Sequence, residues 1–334
     1  MRQITYAQAI NEALREEMKR DSRVFMIGED IGVQGGTVGL SKGLLAEFGE
    51  KRIKDTPISE AAFVGCGIGA AITGLRPVVE LMYIDFTAVA MDQIVNQAAF
   101  LRYMTGGMVT VPLVIRTQGG AGTGEAAHHS KSLESWFVHV PGLKVVMPST
   151  PYDAKGLFKT SIRDDNPVLF IDNKMLFFKK GPVPEEEYLI PFGKADVKRE
   201  GDDITIVTTS LMVHRALEAA NLLKEKGISV EVIDPRTLTP FDKETVIKSV
   251  QKTRQLLIAQ EACERASMAG EILREVINDC FSYLDGPPQV LAGKDVPIPY
   301  SAPLENVAVP QVEDIVKTVE EMLKKYSPVK PGRC

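Results

Sequence analysis

Two kinds of apolar segment alternate along the chain. The first has apolar residues at helical spacing, as in the segment that follows Thr5, whose predicted inner face carries Ile10, Ala13, Leu14 and Met18. The second is a short, continuous apolar run, as in Val24–Gly28, which is typical of a strand buried on both faces. Similar runs occur at residues 77–82, 112–116, 143–147 and 167–171, and a helix is predicted at residues 87–103. The alternation predicts an α/β fold in which helices cover both faces of a parallel sheet.

The pattern changes between residues 174 and 202, where charged residues, prolines and a run of three glutamates replace the apolar segments. Such composition is typical of a segment between domains. A second alternating series follows, with predicted strands at 204–208, 230–233 and 255–259 and predicted helices near 211–226, 241–251, 267–280 and 312–325. We therefore predict a first domain at 1–180, a linker at 181–202 and a second domain at 203–334.

The composition is that of an ordinary soluble protein, with 44% hydrophobic and 25% charged residues among 334. A net charge of −5 without a long basic tract argues against nonspecific binding of nucleic acid. No apolar run is long enough to cross a membrane, and the first residues lack the apolar core of a signal peptide. The widely spaced cysteines favour a reducing, cytoplasmic location over a zinc site or a disulfide framework; they are Cys66, Cys263, Cys280 and Cys334.

The most informative segment is 55–74, where Glu60 lies in the first turn of an apolar, glycine-containing helix. Pro57 disfavours helix upstream, and Ser59 can cap the helix. A glutamate in a first turn is ordinarily a favourable partner of the helix dipole. However, the residues that follow offer almost nothing to solvate a charge. We therefore expect a largely buried helix and weigh a second interpretation, a carboxyl group kept for its affinity for a proton.

Two glycine-rich segments are superficially like nucleotide-binding motifs. Residues 65–69, Gly-Cys-Gly-Ile-Gly, fall inside the predicted helix instead of in the turn that opens one, which favours close helix packing over a dinucleotide fingerprint. Residues 119–124 lack the Lys-Ser/Thr ending of a P-loop, so we predict a flexible loop and no phosphate cradle. A nicotinamide-dependent oxidoreductase that uses residues 65–69 remains an alternative from another functional class.

The second glycine-rich segment ends in two adjacent histidines, His128 and His129, which suit proton transfer near neutral pH. A chance pair on a surface loop is the alternative interpretation. Phe86 follows a predicted strand and fits either the core or the carboxyl edge of the sheet, where open α/β sheets present ligands. For His139 and His214, a helical context favours structural roles.

Taken together, the motifs resemble a known family in their order and sequence. They are Asp-Thr-Pro-Ile-Ser-Glu at 55–60, Glu-Leu-Met-Tyr-Ile-Asp-Phe at 80–86, the segments at 92–99 and 102–107, His-Ser at 129–130, and the runs 141–157 and 234–242. Nearly end to end, the chain resembles the β subunit of the thiamine-diphosphate-dependent first component of 2-oxo acid dehydrogenase complexes. The resemblance implies a transketolase-like pyrimidine-binding domain followed by a transketolase C-terminal domain.

The resemblance also implies roles for individual residues. The glutamate that matches Glu60 bonds N1′ of the cofactor's aminopyrimidine, which lets that ring take the proton from the thiazolium C2. Phe86 would stack on the pyrimidine, Ile58 and Met82 would line its pocket, and His129 would handle protons during transfer to lipoamide. A structural potassium ion is implied as well, held by the carbonyls of Leu113, Ser161, Ile162 and Asp164 together with Asn166.

One motif of thiamine enzymes is missing from this chain, the Gly-Asp-Gly that holds Mg²⁺ and the diphosphate. The resemblance therefore implies a separate α subunit that supplies it, in an α2β2 heterotetramer that contains a second β subunit. The C-terminal domain would dock a lipoyl acyltransferase core. Two positions depart from the family pattern, His128 where glutamine is usual and Phe100 where lysine is common.

The implied reaction is oxidative cleavage of a two-carbon acyl precursor, with the acetyl group passed to lipoamide. Pyruvate and acetoin are the leading substrates, because residues 96–99 and 102–107 look unlike branched-chain relatives. The segment 261–269 favours acetoin slightly. A branched-chain 2-oxo acid dehydrogenase β subunit is the alternative within the family, and a noncatalytic docking subunit is disfavoured by Glu60 and His129.

Overall fold

The computed structural model describes residues 1–326, so Cys334 and the predicted end of the second domain lie outside the described residues. The strands are β1 (Arg2–Thr5), β2 (Val24–Gly28), β3 (Ile53–Asp55), β4 (Arg76–Leu81), β5 (Val114–Gly119), β6 (Lys144–Val146), β7 (Val168–Asn173), β8 (Lys180–Val183), β9 (Asp196–Arg199), β10 (Ile204–Thr208), β11 (Val230–Asp234), β12 (Thr237–Thr239), β13 (Leu256–Cys263) and β14 (Gln289–Gly293). The α-helices are α1 (Tyr6–Arg20), α2 (Leu44–Phe48), α3 (Glu60–Ile72), α4 (Leu101–Met104), α5 (Glu134–Val138), α6 (Pro151–Arg163), α7 (Leu211–Glu225), α8 (Lys243–Thr253), α9 (Met268–Cys280), α10 (Ala302–Ala308) and α11 (Val312–Tyr326).

The first half of the chain builds a seven-stranded sheet with the order β12-β6-β7-β5-β4-β2-β3. All of its pairs are parallel except β12 with β6. The strands β2, β4, β5 and β7 are buried almost throughout, as their continuous apolar sequences predict. The predicted parallel sheet flanked by helices is therefore confirmed.

The second half builds a five-stranded sheet with the order β14-β13-β10-β11-β9. Its central pairs are parallel, and β9 joins β11 in the antiparallel direction. Strand β9 lies within the segment predicted as a linker, so that segment contributes an edge strand to the second sheet. The predicted domain limits at 180 and 203 stay a prediction.

The two halves are joined by strand pairing and ion pairs between residues that are far apart in the sequence. Strand β12 comes from the second half but pairs with β6 in the first sheet, with Thr237 opposite Val146. Beside it, the fully buried carboxylate of Asp153 accepts from Lys198 at 2.5 Å and pairs with Arg236 at 2.7 Å. Pairing compensates buried charges for the loss of water. The relative position of the halves is therefore set by backbone pairing and by buried ion pairs.

The first helix agrees with its prediction, since Thr5 and Gln8 form a capping box at the start of α1. The segment near residues 87–103 is helical as predicted but is not one regular α-helix, since it consists of a 3₁₀ turn (Ile84–Ala88), a π-helix (Gln93–Ala98) and the short α4. In the π-helix the amide of Ala99 donates to the carbonyl of Ile94, five residues earlier, which widens the turn. Within residues 1–326, no helix is both long and apolar enough to cross a membrane.

Candidate active site

Three loops meet at the carboxyl edge of the first sheet and carry the main residues predicted from sequence. Glu60 follows β3, Phe86 follows β4 and His129 follows β5. The strand ends are level, because Gly28 is opposite both Asp55 and Glu80, and Leu81 is opposite Thr117. The carboxyl edge of an open parallel sheet is where ligands bind in such folds.

Glu60 opens α3, and its residue is only 7% exposed. Within the described part of the chain, no side-chain hydrogen bond or ion pair holds its carboxylate, which leaves it available for a ligand. Ser59 occupies the N-cap position as predicted, but its side chain makes no cap. Its hydroxyl instead donates to the carbonyl of Pro57 at 3.0 Å.

A second buried acid, Glu29, lies beside Glu60 and was not singled out from the sequence. Burial raises the pKa of Glu29, and the negative charge of Glu60 raises it further, although the amide of Ser59 donates to its carboxylate. One of its carboxylate oxygens, Oε1, is buried and has no partner among the described residues. The signal available in the sequence was its position, directly after the buried strand β2. Two adjacent carboxyl groups of this kind can share or exchange a proton with a bound ligand.

Helix α3 is buried on one face only, so the expectation of a largely buried helix is half wrong. A side chain at Gly67 would lie 2.5 Å from the Val79 side chain, which confirms that this glycine serves close packing against β4. The opposite face is exposed and consists mainly of small residues, namely Ala61, Ala62, Cys66 and Gly69, with Ile72 at its carboxyl end. Such a face permits close approach of another surface.

Three rings come together at the edge of the site, those of Tyr83, Phe86 and His129. The His129 ring lies 4.8 Å from Tyr83 and 5.4 Å from Phe86 between centroids, and both contacts are edge-to-face. This geometry is favourable for aromatic pairs. The structure thus brings together Phe86 and His129, which sequence reasoning proposed separately, and adds Tyr83.

An ion pair between Glu125 and Lys174 is hydrogen-bonded to two members of this aromatic cluster. Lys174 donates both to the Glu125 carboxylate and to the backbone carbonyl of His129. Tyr83 donates to Glu125 at 3.1 Å, and burial together with that negative charge raises the pKa of Tyr83 to about 12. Although burial favours the protonated acid, the bonds from Lys174 and Thr123 lower the pKa of Glu125. The site therefore contains an ion pair, Glu125–Lys174, that is hydrogen-bonded to the backbone of His129.

The remaining residues predicted at the cofactor are not enclosed by this chain. Ile58 is 82% exposed, and Met82 is half-buried. His128 points outward as an exposed residue, whereas His129 is half-buried. His214, for which a structural role was predicted, bonds the carbonyl of Ser149 at 2.7 Å, and burial lowers its pKa.

The oxygens predicted to hold potassium already have hydrogen-bond partners. The Arg76 guanidinium donates to the carbonyls of Ile162 and Asp164 at 2.9 and 3.0 Å. The carbonyls of Leu113 and Ser161 accept backbone amides, and the side-chain oxygen of Asn166 accepts from Arg102 at 2.6 Å. The guanidinium groups of Arg76 and Arg102 thus contact three of the five predicted ligands, and their positive charge disfavours a second cation at these oxygens. Potassium stays a prediction on which nothing below depends.

Both halves of the chain match known protein families. Residues 2–179 match the family described as "Transketolase, pyrimidine binding domain", and residues 193–315 match "Transketolase, C-terminal domain". Among solved structures, the chain is similar to a "Split gene transketolase, inactive beta4 tetramer", with a TM-score of 0.79 and 22% identity over 97% of this chain and 99% of that one. That likeness concerns the fold alone.

Three similar proteins have sequences close to this one. A "Pyruvate dehydrogenase E1 component subunit beta-1, mitochondrial" of Oryza sativa subsp. japonica is 45% identical over 98% of this chain and 89% of its own length. A "2-oxoisovalerate dehydrogenase subunit beta" of Bacillus subtilis is 45% identical over 96% and 98%. An "Acetoin:2,6-dichlorophenolindophenol oxidoreductase subunit beta" of Cupriavidus necator is 46% identical over 97% and 98%.

Proposed function

This chain belongs to the family of β subunits of 2-oxo acid and acetoin dehydrogenases, and on that premise we propose that it serves a thiamine-diphosphate-dependent enzyme acting on pyruvate or acetoin. The acetyl group would pass to lipoamide. The observation that carries the proposal is the buried pair Glu60 and Glu29, at the same sheet edge as Phe86 and His129.

The residues at this edge fit an aminopyrimidine ring. Such a ring has a nitrogen that accepts a proton and flat apolar faces. The same edge carries a carboxyl group without a hydrogen-bond partner among residues 1–326, and aromatic and aliphatic side chains on neighbouring loops. Glu60 would hold the proton shared with the ring, Phe86 would stack on it, and Ile58 and Met82 would line the pocket. When bound, the cofactor would supply a nucleophilic carbon for attack on the substrate carbonyl.

His129 would handle protons during transfer of the acyl group. Its ring is positioned by contacts with Tyr83 and Phe86, and its backbone carbonyl is held by Lys174. Imidazole suits this task because it gains and loses a proton near neutral pH. Glu125 and Lys174 neutralise each other as an ion pair, so they place no net charge near the His129 ring. Lys174 also anchors the loop that carries His129, through the backbone carbonyl of that residue.

The chain would act with an α subunit, which would hold Mg²⁺ and the diphosphate. Support comes from Ile58, an apolar residue that is left 82% exposed near the site, and from the exposed small face of α3. Exposed apolar surface of this kind marks association sites. We propose an α2β2 heterotetramer, with a second β subunit and a lipoyl acyltransferase core.

A branched-chain substrate is the second candidate within the family, because a 2-oxoisovalerate dehydrogenase subunit is 45% identical to the chain. A nicotinamide-dependent oxidoreductase is disfavoured, because Gly67 packs on Val79 where a dinucleotide fingerprint needs an open turn.

Reconstitution with the α partner tests the proposal. We expect thiamine-diphosphate-dependent reduction of ferricyanide with pyruvate or acetoin, and a lower kcat/KM with 3-methyl-2-oxobutanoate. Turnover on none of these substrates, or turnover without thiamine diphosphate, would overturn the proposed function. A highest kcat/KM with 3-methyl-2-oxobutanoate would move the assignment to the branched-chain enzymes.

Replacement of His129 tests whether this residue acts in acyl transfer to lipoamide or in the earlier steps on the cofactor. We expect His129→Ala to lower lipoamide-dependent turnover by about 10²- to 10⁴-fold, the usual contribution of a positioned acid or base. Ferricyanide reduction, which needs no transfer to lipoamide, should fall much less. His128→Gln, which changes the exposed neighbour, is the matched control and should keep both activities. Equal losses in the two assays for His129→Ala would contradict the assigned role.

A further inference from the structure

The glycine-rich loop of residues 119–124 is fastened by carboxylates from the distant half of the chain. Ala121 donates its amide to Glu261, and Gly122 donates its amide to Glu305 at 2.6 Å. Gly124 makes a longer bond, 3.2 Å, to the same Glu305. The prediction that this segment is no phosphate cradle agrees with this arrangement, because its amides already bind internal anions. The loop was expected to be flexible, but these hydrogen bonds restrain its backbone.

The backbone of the loop explains why glycines are needed there. Gly120, Gly122 and Gly124 have φ values of +90°, +111° and +68°, in the left-handed region that side chains disfavour. Successive amides in such a backbone turn toward one side and form a concavity that binds an anion. Here two carboxylates fill that concavity, so their bonds with the amides are charge-assisted.

Both carboxylates are themselves held in dry surroundings. Glu305, in α10, is only 2% exposed. Glu261, in β13, accepts a second bond from the side chain of Asn173 at 2.8 Å, and burial raises its pKa. Asn173 directly precedes Lys174, the residue that bonds the His129 carbonyl. Glu261 therefore holds both the loop and the strand end that anchors the histidine, whereas Glu305 holds the loop.

We propose that Glu261 and Glu305 are positioning residues, which hold the glycine-rich loop and through it set the location of Glu125 and His129. The inference rests on the proposed function for its catalytic consequence, although the loop contacts stand independently. The second half of the chain thereby contributes to the active site without touching the reacting atoms. Glu125 follows Gly124 directly, so displacement of the loop also moves the partner of Lys174 and Tyr83.

Amide hydrogen exchange on the full chain tests the loop contact without any need for activity. We expect Glu305→Ala to speed exchange in peptides covering residues 120–131 by about tenfold, because it removes two charge-assisted bonds. Glu305→Gln keeps one acceptor oxygen and should give a smaller increase. Glu313→Ala, at an exposed glutamate of α11, is the matched control and should leave this exchange unchanged. The proposal is overturned if Glu305→Ala leaves exchange in the loop unchanged, or speeds exchange equally in β10 and β11.

Activity of the complex with the α partner provides the second measurement. We expect Glu305→Ala to reduce lipoamide-dependent turnover about tenfold more than ferricyanide reduction, and Glu305→Gln to recover part of the loss. Equal losses in both assays would overturn the link to His129. If wild-type complex shows no thiamine-dependent turnover, the proposed function fails, and the exchange experiment still decides the loop contact.

Discussion

Glu60→Gln should abolish thiamine-dependent turnover while leaving the protein folded. Glutamine has the size of glutamate but neither holds nor gives up a proton, so the aminopyrimidine would lose its acidic partner. We expect kcat to fall about 10³-fold, which corresponds to about 4 kcal/mol of lost transition-state stabilisation. The measurement is ferricyanide reduction by the reconstituted complex, at saturating thiamine diphosphate and substrate.

Two further variants make this result specific. Glu50→Gln, at an exposed residue, should keep full turnover. Glu29→Gln removes the neighbouring acid and should cause a smaller loss than Glu60→Gln, because only Glu60 is assigned a direct contact with the aminopyrimidine ring. Wild-type turnover in Glu60→Gln would refute the role assigned to this carboxylate, and an unfolded variant would show itself by loss of the α-helical circular dichroism signal.

Replacement of Glu134 should change how stability depends on pH. Glu134 is the first residue of α5 and is only 5% exposed. Burial raises the pKa of its carboxyl group from an ordinary 4.5 to about 7, and the negative charge of Glu261 contributes to this shift. The folded state therefore binds a proton more tightly than the unfolded state. The stability that this provides is fully present below pH about 4.5 and is lost as the pH rises through about 7. A shift of this size corresponds to about 3 kcal/mol.

Glu134→Gln imitates the protonated acid at every pH and should remove this dependence. We expect the variant to be more stable than the wild type at pH 8 by up to about 3 kcal/mol, and nearly equal to it at pH 4.5. Unfolding midpoints in denaturant, measured at both pH values, check the difference. Glu186→Gln, at an exposed position outside any helix, is the control. Its stability should differ from that of the wild type by a similar amount at both pH values. A pH-independent difference for Glu134→Gln would show that the buried acid does not titrate as described.

Apolar patterning was sufficient for most of the architecture. Continuous apolar runs identified β2 and β10 at their observed limits, and the capping sequence at Thr5 located α1. Both depend on contacts between neighbours in sequence, which a pattern can express. The segment near 87–103 was predicted less well, because the difference between α, 3₁₀ and π turns lies in backbone packing that composition does not encode.

Position in the chain also indicated much of the candidate site. Glu60, Phe86 and His129 each follow a strand, and the carboxyl ends of parallel strands meet at one edge. The ring contacts between Phe86 and His129 agree with that reasoning. Glu29 follows β2 in the same way. Its importance could not be predicted from that position alone, because it depends on the proximity of Glu60, which only the structure shows.

The sequence by itself determined the fold class, the alternation of strands and helices, and the family to which the chain belongs. Only the tertiary structure decided which groups hold the site in place, because those contacts join residues far apart in the chain. Glu305 is 183 residues from Gly122, and Glu261 is 140 residues from Ala121. It also decided that α3 exposes a face of small residues and that Arg76 occupies carbonyls predicted for potassium. Local patterning expresses which face of an element is apolar, whereas the partner that meets that face is chosen by packing of the whole chain.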